Sequence, residues 1–505
     1  MSLLLFVVLA FAFAGVAAVR REDPAARTAI GLVGLGVAVI AALAIQPGQI
    51  VAIGGGGIAT TAYLRLFLVL GALVGLGLAV SGTAGGSRRD APAVTLAVLA
   101  SCGLTLSLTD ARAAVLVATA GGLFGVLVTL IPGNGRAGAT VGIRETRAVI
   151  VAGALAIAAT AWFGRDLSQL AAQPVVFGLA YLAFAIAVAM RFGAIPFHLW
   201  AARLTDVVPE TALPILTAIA PASLAIVALA WTDASVAPLL VPVGTARLIV
   251  LGIAIASIFL AAIAAFVQDD LEHVLGYSIV GDAGVVMLAL ATLDPEAWAP
   301  ARTWILIFVV TRSAFAAWVA GIRAGFFTGR VADLRGWVWR SPILAVALVL
   351  VVVAAIGYPG LVSFDTRKSI VDLALDGWPA TIVLLGTLLP LAYYVRLLAI
   401  GVGRPDRSVE PPRAWRPRWS SGGAGRFDRL AGLWDLNRSF TTATIALLLG
   451  GLALATAAGA FGGPEAAAGL PPTIEGPGEI VAPIDSDQGP LVPGASVAPG
   501  ESVEP

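Results

Sequence analysis

The chain is poor in charged residues, and this scarcity excludes most classes of soluble protein. Only 12% of its 505 residues are Asp, Glu, Lys or Arg, about half the share that a soluble domain carries. Hydrophobic residues make up 59% of the chain, and the mean hydropathy is +0.95. A formal net charge of +1 gives no support to a nucleic-acid partner. The composition therefore predicts a polytopic membrane protein surrounded by the lipid bilayer.

Cysteine and histidine are almost missing, which limits the redox and metal chemistry of the chain. The one cysteine, Cys102, excludes a disulfide framework or a thiolate cluster made within this chain. The two histidines, His198 and His273, are too few for a multi-haem or histidine-rich metal site. No motif indicates a site for flavin or an iron–sulfur cluster. We therefore expect no cofactor, no metal and no redox chemistry in this chain itself.

Apolar runs long enough to cross a bilayer recur along most of the sequence. Arg20 and Arg21 follow the first run rather than precede it, so this run is expected to be a retained helix and not a cleaved signal. The sequence predicts an all-α polytopic membrane protein with about fourteen transmembrane helices. We place them at 2–19, 28–45, 62–81, 93–109, 113–132, 148–163, 172–200, 211–231, 245–267, 273–293, 302–321, 342–362, 379–402 and 440–462.

The basic residues are concentrated in alternate loops. Arginines follow spans one, three and five and precede span twelve, and the loop 403–439 carries eight arginines against four acids. The positive-inside rule assigns these loops to the cytoplasm, so both termini are expected outside a bacterial-type cytoplasmic membrane. Residues 427–434 of that loop have the spacing of an interfacial amphipathic helix, although an ordinary solvated loop is equally consistent. The tail 463–505 has no Lys or Arg and is expected to be disordered.

The stretch 190–223 combines charges with prolines inside a predicted membrane segment. A charge near the bilayer centre costs roughly 2.5–3.5 kcal/mol on insertion scales, so such residues usually have a function. A proline frees backbone groups that lipid cannot satisfy, and transporters use such broken helices beside a buried cation to build a site at mid-depth. In the alternative interpretation, Arg191 extends to the headgroups and His198 packs at the end of the span. The residues concerned are Arg191, Pro196, His198, Glu210 and Pro221.

A second break of the same kind occurs in the C-terminal half. Gly357 and Pro359 interrupt an apolar run, and Arg367 and Lys368 follow them. Paired interruptions are the best sequence sign of an inverted-repeat transporter, so we predict two inverted five-helix repeats. The predicted domains are a three-helix segment 1–92, the repeats 93–231 and 245–402, the basic cytoplasmic loop 403–439, a last helix 440–462 and the tail 463–505.

Charged residues also enter the spans between the two breaks. Glu272, His273 and Asp282 lie in span ten, and Arg312 lies in the middle of span eleven. A buried arginine needs a carboxylate partner, and we expect Asp282 to pair with Arg312. Such a pair could serve helix packing or conduction equally well.

Elsewhere, GNGRAG at 133–138 matches a dinucleotide-binding pattern but has no strand before it, so we interpret it as a turn.

Three motifs resemble those of one membrane-protein family. GAIPFHLW, QDDLEHVLGYSIVGDAG and IGYPGLVSFDTRK are similar to motifs of the antiporter-like membrane subunits of respiratory complex I. Related subunits occur in multisubunit sodium/proton antiporters and membrane-bound hydrogenases. The resemblance covers about residues 113–396, and the span count and external termini fit the N-type and M-type NADH-quinone oxidoreductase subunits.

The resemblance implies that lysines and a glutamate along a mid-membrane axis relay protons, and this chain departs from that pattern throughout. Span five contains no carboxylate. A guanidinium keeps its proton where a buried lysine can lose it, so Arg191 is expected to be a fixed charge that acts as a gate. His198, Glu210, Glu272, His273 and Asp282 are left to titrate. The positions that match the family's relay residues are Arg191, Ala222, Glu272, His273, Asp282 and Arg367, with Lys368 adjacent.

These observations predict a divergent antiporter-like subunit of a respiratory NADH-quinone oxidoreductase-type complex, linked to proton or cation translocation. Its expected partners are other membrane subunits of such a complex. Two alternatives stay open. One is a scaffold subunit that keeps the fold and has lost the path. The other is a stand-alone secondary transporter whose anionic substrate would meet Arg191 and a half-helix N-terminus.

Overall fold

The computed structural model describes residues 2–20, 22–53, 56–84, 91–130, 135–161, 174–235, 244–404 and 436–457, and most of these described residues are helical. In lipid every backbone amide must be satisfied within the protein, and long apolar runs meet this requirement as helices. The helices are α1 Ser2–Val19, α2 Pro24–Leu43, α3 Ala62–Ala84, α4 Ala91–Ser107, α5 Ala111–Thr129, α6 Gly135–Ala161, α7 Pro174–Phe192, α8 Leu199–Leu204, α9 Ala220–Ser235, α10 Gly244–Val267, α11 Leu271–Thr292, α12 Trp298–Phe326, α13 Trp337–Arg340, α14 Pro342–Ile356, α15 Val362–Ala374, α16 Gly377–Gly386, α17 Pro390–Val402 and α18 Leu436–Ala457.

Ten helical segments among the described residues are long and apolar enough to cross a membrane. Three shorter apolar helices accompany them, at Ala91–Ser107, Pro342–Ile356 and Thr441–Thr456. The prediction of a helical polytopic membrane protein is confirmed at this level.

One segment contradicts the all-α prediction. The loop expected at 46–61 contains an antiparallel hairpin of β1, Ile50–Ile53, and β2, Gly56–Ala59, in which Ile50 pairs with Ala59. The run IVAI is rich in β-branched residues, which favour strands once a segment is too short to span lipid. The hairpin is tied to the helices by the Thr109 hydroxyl, which accepts the Gly57 amide hydrogen bond at 2.8 Å.

Two helices, α6 and α12, also have boundaries that differ from the prediction. Helix α6 begins at Gly135, well before the span predicted to start at 148. Most of the predicted turn at 133–138 is therefore helical, because Arg, Ala and Glu in this segment are good helix formers. Helix α12 begins before residue 302 and continues past residue 321, to Phe326.

Both predicted breaks are present. Helix α7 ends at Phe192, and the chain continues irregularly through Gly193, with φ of 66°, and Pro196 before α8 begins. Helix α14 ends at Ile356, and α15 begins at Val362. Gly357 and Gly360 between them have φ of 69° and 94°, a region that favours glycine.

The helix that carries Pro221 is irregular in a different way. Pro221 is the second residue of α9, and the π-helical segment Ile215–Ile219 precedes α9 directly. The helix is thus locally widened ahead of the proline rather than interrupted at it. Such π segments are frequent at functional sites.

The core lies along α12, which packs against α3, α11, α14, α15 and α18. The most apolar part of Pro295–Phe326 is wholly buried, whereas the corresponding part of α1 is 28% buried. Since lipid tails solvate apolar side chains, exposed apolar faces on the outer helices are what a bilayer allows. The predicted amphipathic helix at 427–434 and the predicted disordered tail lie outside the described residues.

Candidate functional site

The first buried charge is Arg191, in the last turn of α7 directly before the break. It is 3% exposed, so it lies inside the protein, and the interpretation that places it at the headgroups is wrong. Its electrostatic partner is Glu145 on α6, which is 2% exposed. One oxygen of Glu145, Oε2, has no hydrogen-bond partner among the described residues. A carboxylate therefore faces Arg191, although the sequence of span five offered none.

The position of the Arg191 guanidinium depends on a glycine of α5. A Cβ placed on Gly122 would lie 2.6 Å from Nη2 of Arg191 and 2.9 Å from its Cζ. Any larger residue at 122 would therefore displace the charge. The Cys102 thiol of α4 also lies within electrostatic range of Arg191, and it donates to the Ile219 carbonyl oxygen at 3.8 Å.

A second group of charges lies around Arg323, near the C-terminal end of α12. Arg323 donates to Glu210 at 2.9 Å and forms a second ion pair with Glu272 at the start of α11. Arg323 is 42% exposed, so this group opens toward one end of the molecule. Two carboxylates share one guanidinium, which leaves a formal excess of one negative charge.

The two histidines lie in or against the first turns of α11, the helix that also carries Glu272. His273 Nε2 is 3.4 Å from Asp206, which also pairs with Arg203 at 3.5 Å. The His198 ring is 6.3 Å from the Tyr277 ring, and its buried Nδ1 has no hydrogen-bond partner among the described residues. The break separates His198 from Arg191, so the two do not share a helix face.

The third group is centred on Asp282 of α11 and Arg312 of α12, which form a buried ion pair as predicted. Arg312 Nη1 also donates to the Tyr394 hydroxyl at 2.6 Å and to the Tyr393 hydroxyl at 3.3 Å. Trp304 donates to the Asp282 carbonyl oxygen at 3.2 Å. These bonds satisfy the guanidinium on several edges, which a buried charge requires.

Arg367 joins this third group from the second broken helix. It is 2% exposed, donates to the carbonyl oxygens of Ser363 at 3.0 Å and Thr387 at 2.9 Å, and stacks on Trp304 at 5.3 Å. Its charge interacts with Asp282. Since two arginines share one carboxylate, this group has a formal excess of one positive charge. Lys368 points the other way and pairs with Asp372 at 2.5 Å on an exposed face.

Apolar packing separates the first group from the third. Ala222 is fully buried, and so are Ile219 and Ala218 of the adjoining π segment. The rings of Phe192 and Phe308 lie 5.7 Å apart between α7 and α12. Ser223 adds a small hydroxyl here, but alanine at position 222 supplies no titratable side chain.

Sequence reasoning missed four of these residues. Glu145 is flanked by Arg144 and Arg147, so we assigned its segment to a basic loop. Arg323 was placed beyond the predicted end of span eleven. Tyr393 and Tyr394 occur as a pair inside an apolar run, and paired tyrosines in a membrane span indicate that their hydroxyls need a buried partner.

The described residues contain no group of three or more His, Cys, Asp or Glu side chains that could hold a metal ion. The carboxylates of the three groups are each engaged by arginines. The arrangement therefore places fixed positive charges beside groups that can exchange protons.

Comparisons with known proteins find similarity in the middle of the chain. Residues 155–391 match the sequence model of the family described as NADH:quinone oxidoreductase/Mrp antiporter, TM. NADH-quinone oxidoreductase subunit N of Cereibacter sphaeroides is 30% identical over 284 residues, which cover 55% of this chain and 59% of that protein. Subunit N 1 of Streptomyces griseus is 28% identical over 260 residues, covering 50% and 52%. The matches thus span about half to three-fifths of these relatives.

Solved structures share the fold over nearly the whole chain. A chain of the Mrp complex from Dietzia sp. superposes with a TM-score of 0.71 at 18% identity, covering 94% of this chain and 98% of that one. A chain of respiratory complex I from Thermus thermophilus gives 0.65 at 19% identity, covering 90% and 97%. The resemblance to antiporter-like membrane subunits is confirmed, and the protein is an integral membrane protein.

Proposed function

Because residues 155–391 form an antiporter-like membrane module, we propose that this protein is a membrane subunit of a multisubunit respiratory complex and takes part in proton or cation translocation. The observation that carries the proposal is the burial of Arg191 and Arg367, each next to a broken helix and each facing a carboxylate. Buried charges in a membrane protein are costly and usually mark an ion pathway.

In this proposal, the translocated proton or cation would pass the three charged groups in succession. Arg191, Arg312 and Arg367 are fixed charges, because a guanidinium does not release its proton. The carboxylates Glu145, Glu210, Glu272 and Asp282, with His198 and His273, are the groups that can change charge. The Arg323 group has an excess negative charge and the Asp282 group an excess positive charge, and α12 links them over eleven residues, about 16 Å of helix. Protonation at one group would therefore change the electrostatic potential at the other.

Two inverted five-helix repeats, as proposed from the sequence, would account for the placement of these groups. The first would contain α4 to α9 and the second α10 to α17, which extend a few residues beyond the predicted bounds 93–231 and 245–402. The fourth helix of each is the broken one, and its arginine faces a carboxylate from an earlier helix of the same repeat. The fifth is irregular in both, at Ile215–Ile219 and at the turn before Pro390. This correspondence supports the repeats and a complement of fourteen membrane helices, with both termini outside and the basic loop 403–439 in the cytoplasm.

A second candidate function is that of a scaffold subunit which does not conduct. The packed apolar residues around Ala222 favour it, since a continuous path would need water or a titratable group there. In that case the charged groups would fix helix positions only.

Purification in mild detergent, followed by reconstitution of the co-isolating assembly in liposomes, tests the proposal. Quinone reduction by the assembly would drive proton uptake into the liposomes, and a pH-sensitive dye would report this uptake. We expect Glu145→Gln and Asp282→Asn to lower uptake about tenfold or more, while the partner chains still co-isolate. Lys368→Gln, at an exposed residue, is the matched control and should leave uptake unchanged.

Unchanged uptake in both variants, with an intact assembly, would favour the scaffold. A protein that purifies alone would contradict both functions.

A further inference from the structure

The outer face of α6 carries a stripe of three arginines. Arg136, Arg144 and Arg147 are all exposed, whereas the inner face of this helix packs against α5 and α7. At 3.6 residues per turn, the three positions fall within about a quarter of the helix circumference. No described residue forms an ion pair with any of them. The stripe, defined by these three residues, therefore holds three positive charges that the described part of the chain does not compensate.

The acidic residue of α6 cannot supply the missing negative charge. Glu145 lies nine residues after Arg136, or two and a half turns, which places it on the opposite side of the helix. It is buried there and faces Arg191. Since like charges on one exposed face repel each other, the stripe attracts anions from outside the described chain.

The stripe lies at the depth of the lipid headgroups in the proposed topology. Seventeen uncharged residues separate Arg147 from Arg165, slightly fewer than the roughly 20 that cross a hydrocarbon core. The backbone at Arg147 would therefore lie at the boundary of that core. Side chains in a helix tilt toward its N-terminus, and α6 begins at the end that the positive-inside rule assigns to the cytoplasm. The guanidiniums are thus directed toward the headgroups rather than toward the bilayer centre.

Below the stripe the same face of α6 is apolar. Ile150 and Val151 lie one turn further into the membrane and are 52% and 46% exposed. Arg144 and Arg147 are three residues apart, so both side chains can contact one phosphate, and a guanidinium binds phosphate with two parallel donors. Positive charge at headgroup depth, above apolar side chains, is complementary to an anionic phospholipid, whose phosphate and acyl chains lie at those two depths.

We propose that the outer face of α6 binds an anionic phospholipid of the cytoplasmic leaflet. Arg144 and Arg147 hold its phosphate, Arg136 adds positive potential farther out, and Ile150 and Val151 contact an acyl chain. A net negative headgroup is required, because a zwitterionic lipid leaves the charge of the stripe uncompensated. The site rests on the proposed topology of α6 but not on ion translocation, and it shares no residue with the three charged groups.

Lipid binding can be measured on the delipidated protein, purified in nonionic detergent with its co-isolating chains. Dioleoyl-phosphatidylglycerol and dioleoyl-phosphatidylcholine are titrated separately, and native mass spectrometry counts the bound lipids. We expect phosphatidylglycerol to bind more tightly by roughly tenfold or more. This preference should weaken at higher salt, since screening reduces the attraction between exposed charges. Because lipid binding is read without turnover, its result is independent of the uptake assay.

Double variants connect the preference to the stripe. Arg144→Gln/Arg147→Gln removes two of its charges and should weaken phosphatidylglycerol binding roughly tenfold to thirtyfold, as expected for two arginines at an anionic surface. Arg144→Lys/Arg147→Lys keeps the charges and should weaken binding by only about threefold. Arg112→Gln/Arg335→Gln, at exposed arginines of other segments, is the matched control with the same change of net charge, and should leave binding unchanged.

Equal affinity for the two lipids, or unchanged phosphatidylglycerol binding in folded Arg144→Gln/Arg147→Gln, would refute the site. Loss of co-isolating chains from that variant would also refute it, because this face would then contact a neighbouring subunit. If the double variant does not fold, Arg147→Gln alone should still weaken binding roughly threefold to tenfold.

Discussion

At the scale of single residues, the chain buries several arginines inside a hydrophobic protein, and different partners compensate their positive charges. Arg191 faces one carboxylate, Arg312 and Arg367 share another, and Arg302 has aromatic faces alone among the described residues. Guanidinium suits these positions because it is planar, remains protonated and can donate on several edges. At two of the positions where the family resemblance implies titratable lysines, Arg191 and Arg367, this protein therefore holds permanent charges, which leaves a change of charge to its carboxylates and histidines.

The Asp282–Arg312 pair offers a direct measurement at this scale. Asp282→Asn leaves Arg312 buried without its counter-charge, and we expect a loss of about 3–5 kcal/mol in the free energy of unfolding. The double variant Asp282→Asn/Arg312→Met should recover part of that loss, because it removes both charges. Thermal or denaturant unfolding in detergent provides the measurement.

The exposed Lys368–Asp372 pair is the matched control for this cycle. Its side chains are 53% and 47% exposed, against 1% and 8% for Arg312 and Asp282. Lys368→Gln should not change stability measurably. Equal effects from the two pairs would contradict the view that burial makes the Asp282–Arg312 contact important.

At the scale of elements, the broken helices determine where the charges lie. Glycine and proline end α7 and α14 inside the bundle, so the chain can turn and present Arg191 and Arg367 inward. The backbone conformation of the second break depends on glycine at two successive points, Gly357 and Gly360.

Alanine substitutions at the second break separate backbone strain from crowding. Gly360→Ala should cost about 1–2 kcal/mol, because its φ of 94° disfavours a side chain while the space around it is open. Gly357→Ala should cost more, since its new Cβ would also lie 2.7 Å from the Phe364 amide nitrogen. Unfolding midpoints of the two variants provide the comparison, and a larger loss at Gly360 would contradict it.

At the scale of the whole molecule, the distribution of arginines between the two ends predicts orientation. The hairpin end is poor in basic residues, and the end that carries Arg323 and Arg335 is rich in them. The buried Cys102 gives little background in thiol labelling, so introduced cysteines can report on each side.

Orientation can be tested with a membrane-impermeant maleimide. We expect Gln46→Cys to react in intact cells and Arg335→Cys to react only after permeabilisation, because the proposed topology places the basic end in the cytoplasm. Both native residues are exposed, so accessibility within the fold does not limit either reaction. The reverse pattern would place the termini inside and overturn the proposed topology.

The sequence by itself determined the membrane class, both helix breaks and the pairing of Asp282 with Arg312. Hydropathy and proline act on the segment that contains them, and a buried arginine needs one of the few carboxylates available within the spans. It did not reveal the hairpin, which forms where a short β-branched run lies between membrane segments. Nor could it show that Glu145 faces Arg191, that the Tyr393 and Tyr394 hydroxyl oxygens accept hydrogen bonds from Arg312, or that Arg302 lies buried between the rings of Tyr63 and Trp298. Those relations join residues far apart in the chain, and only the packing of the helices brings them into contact.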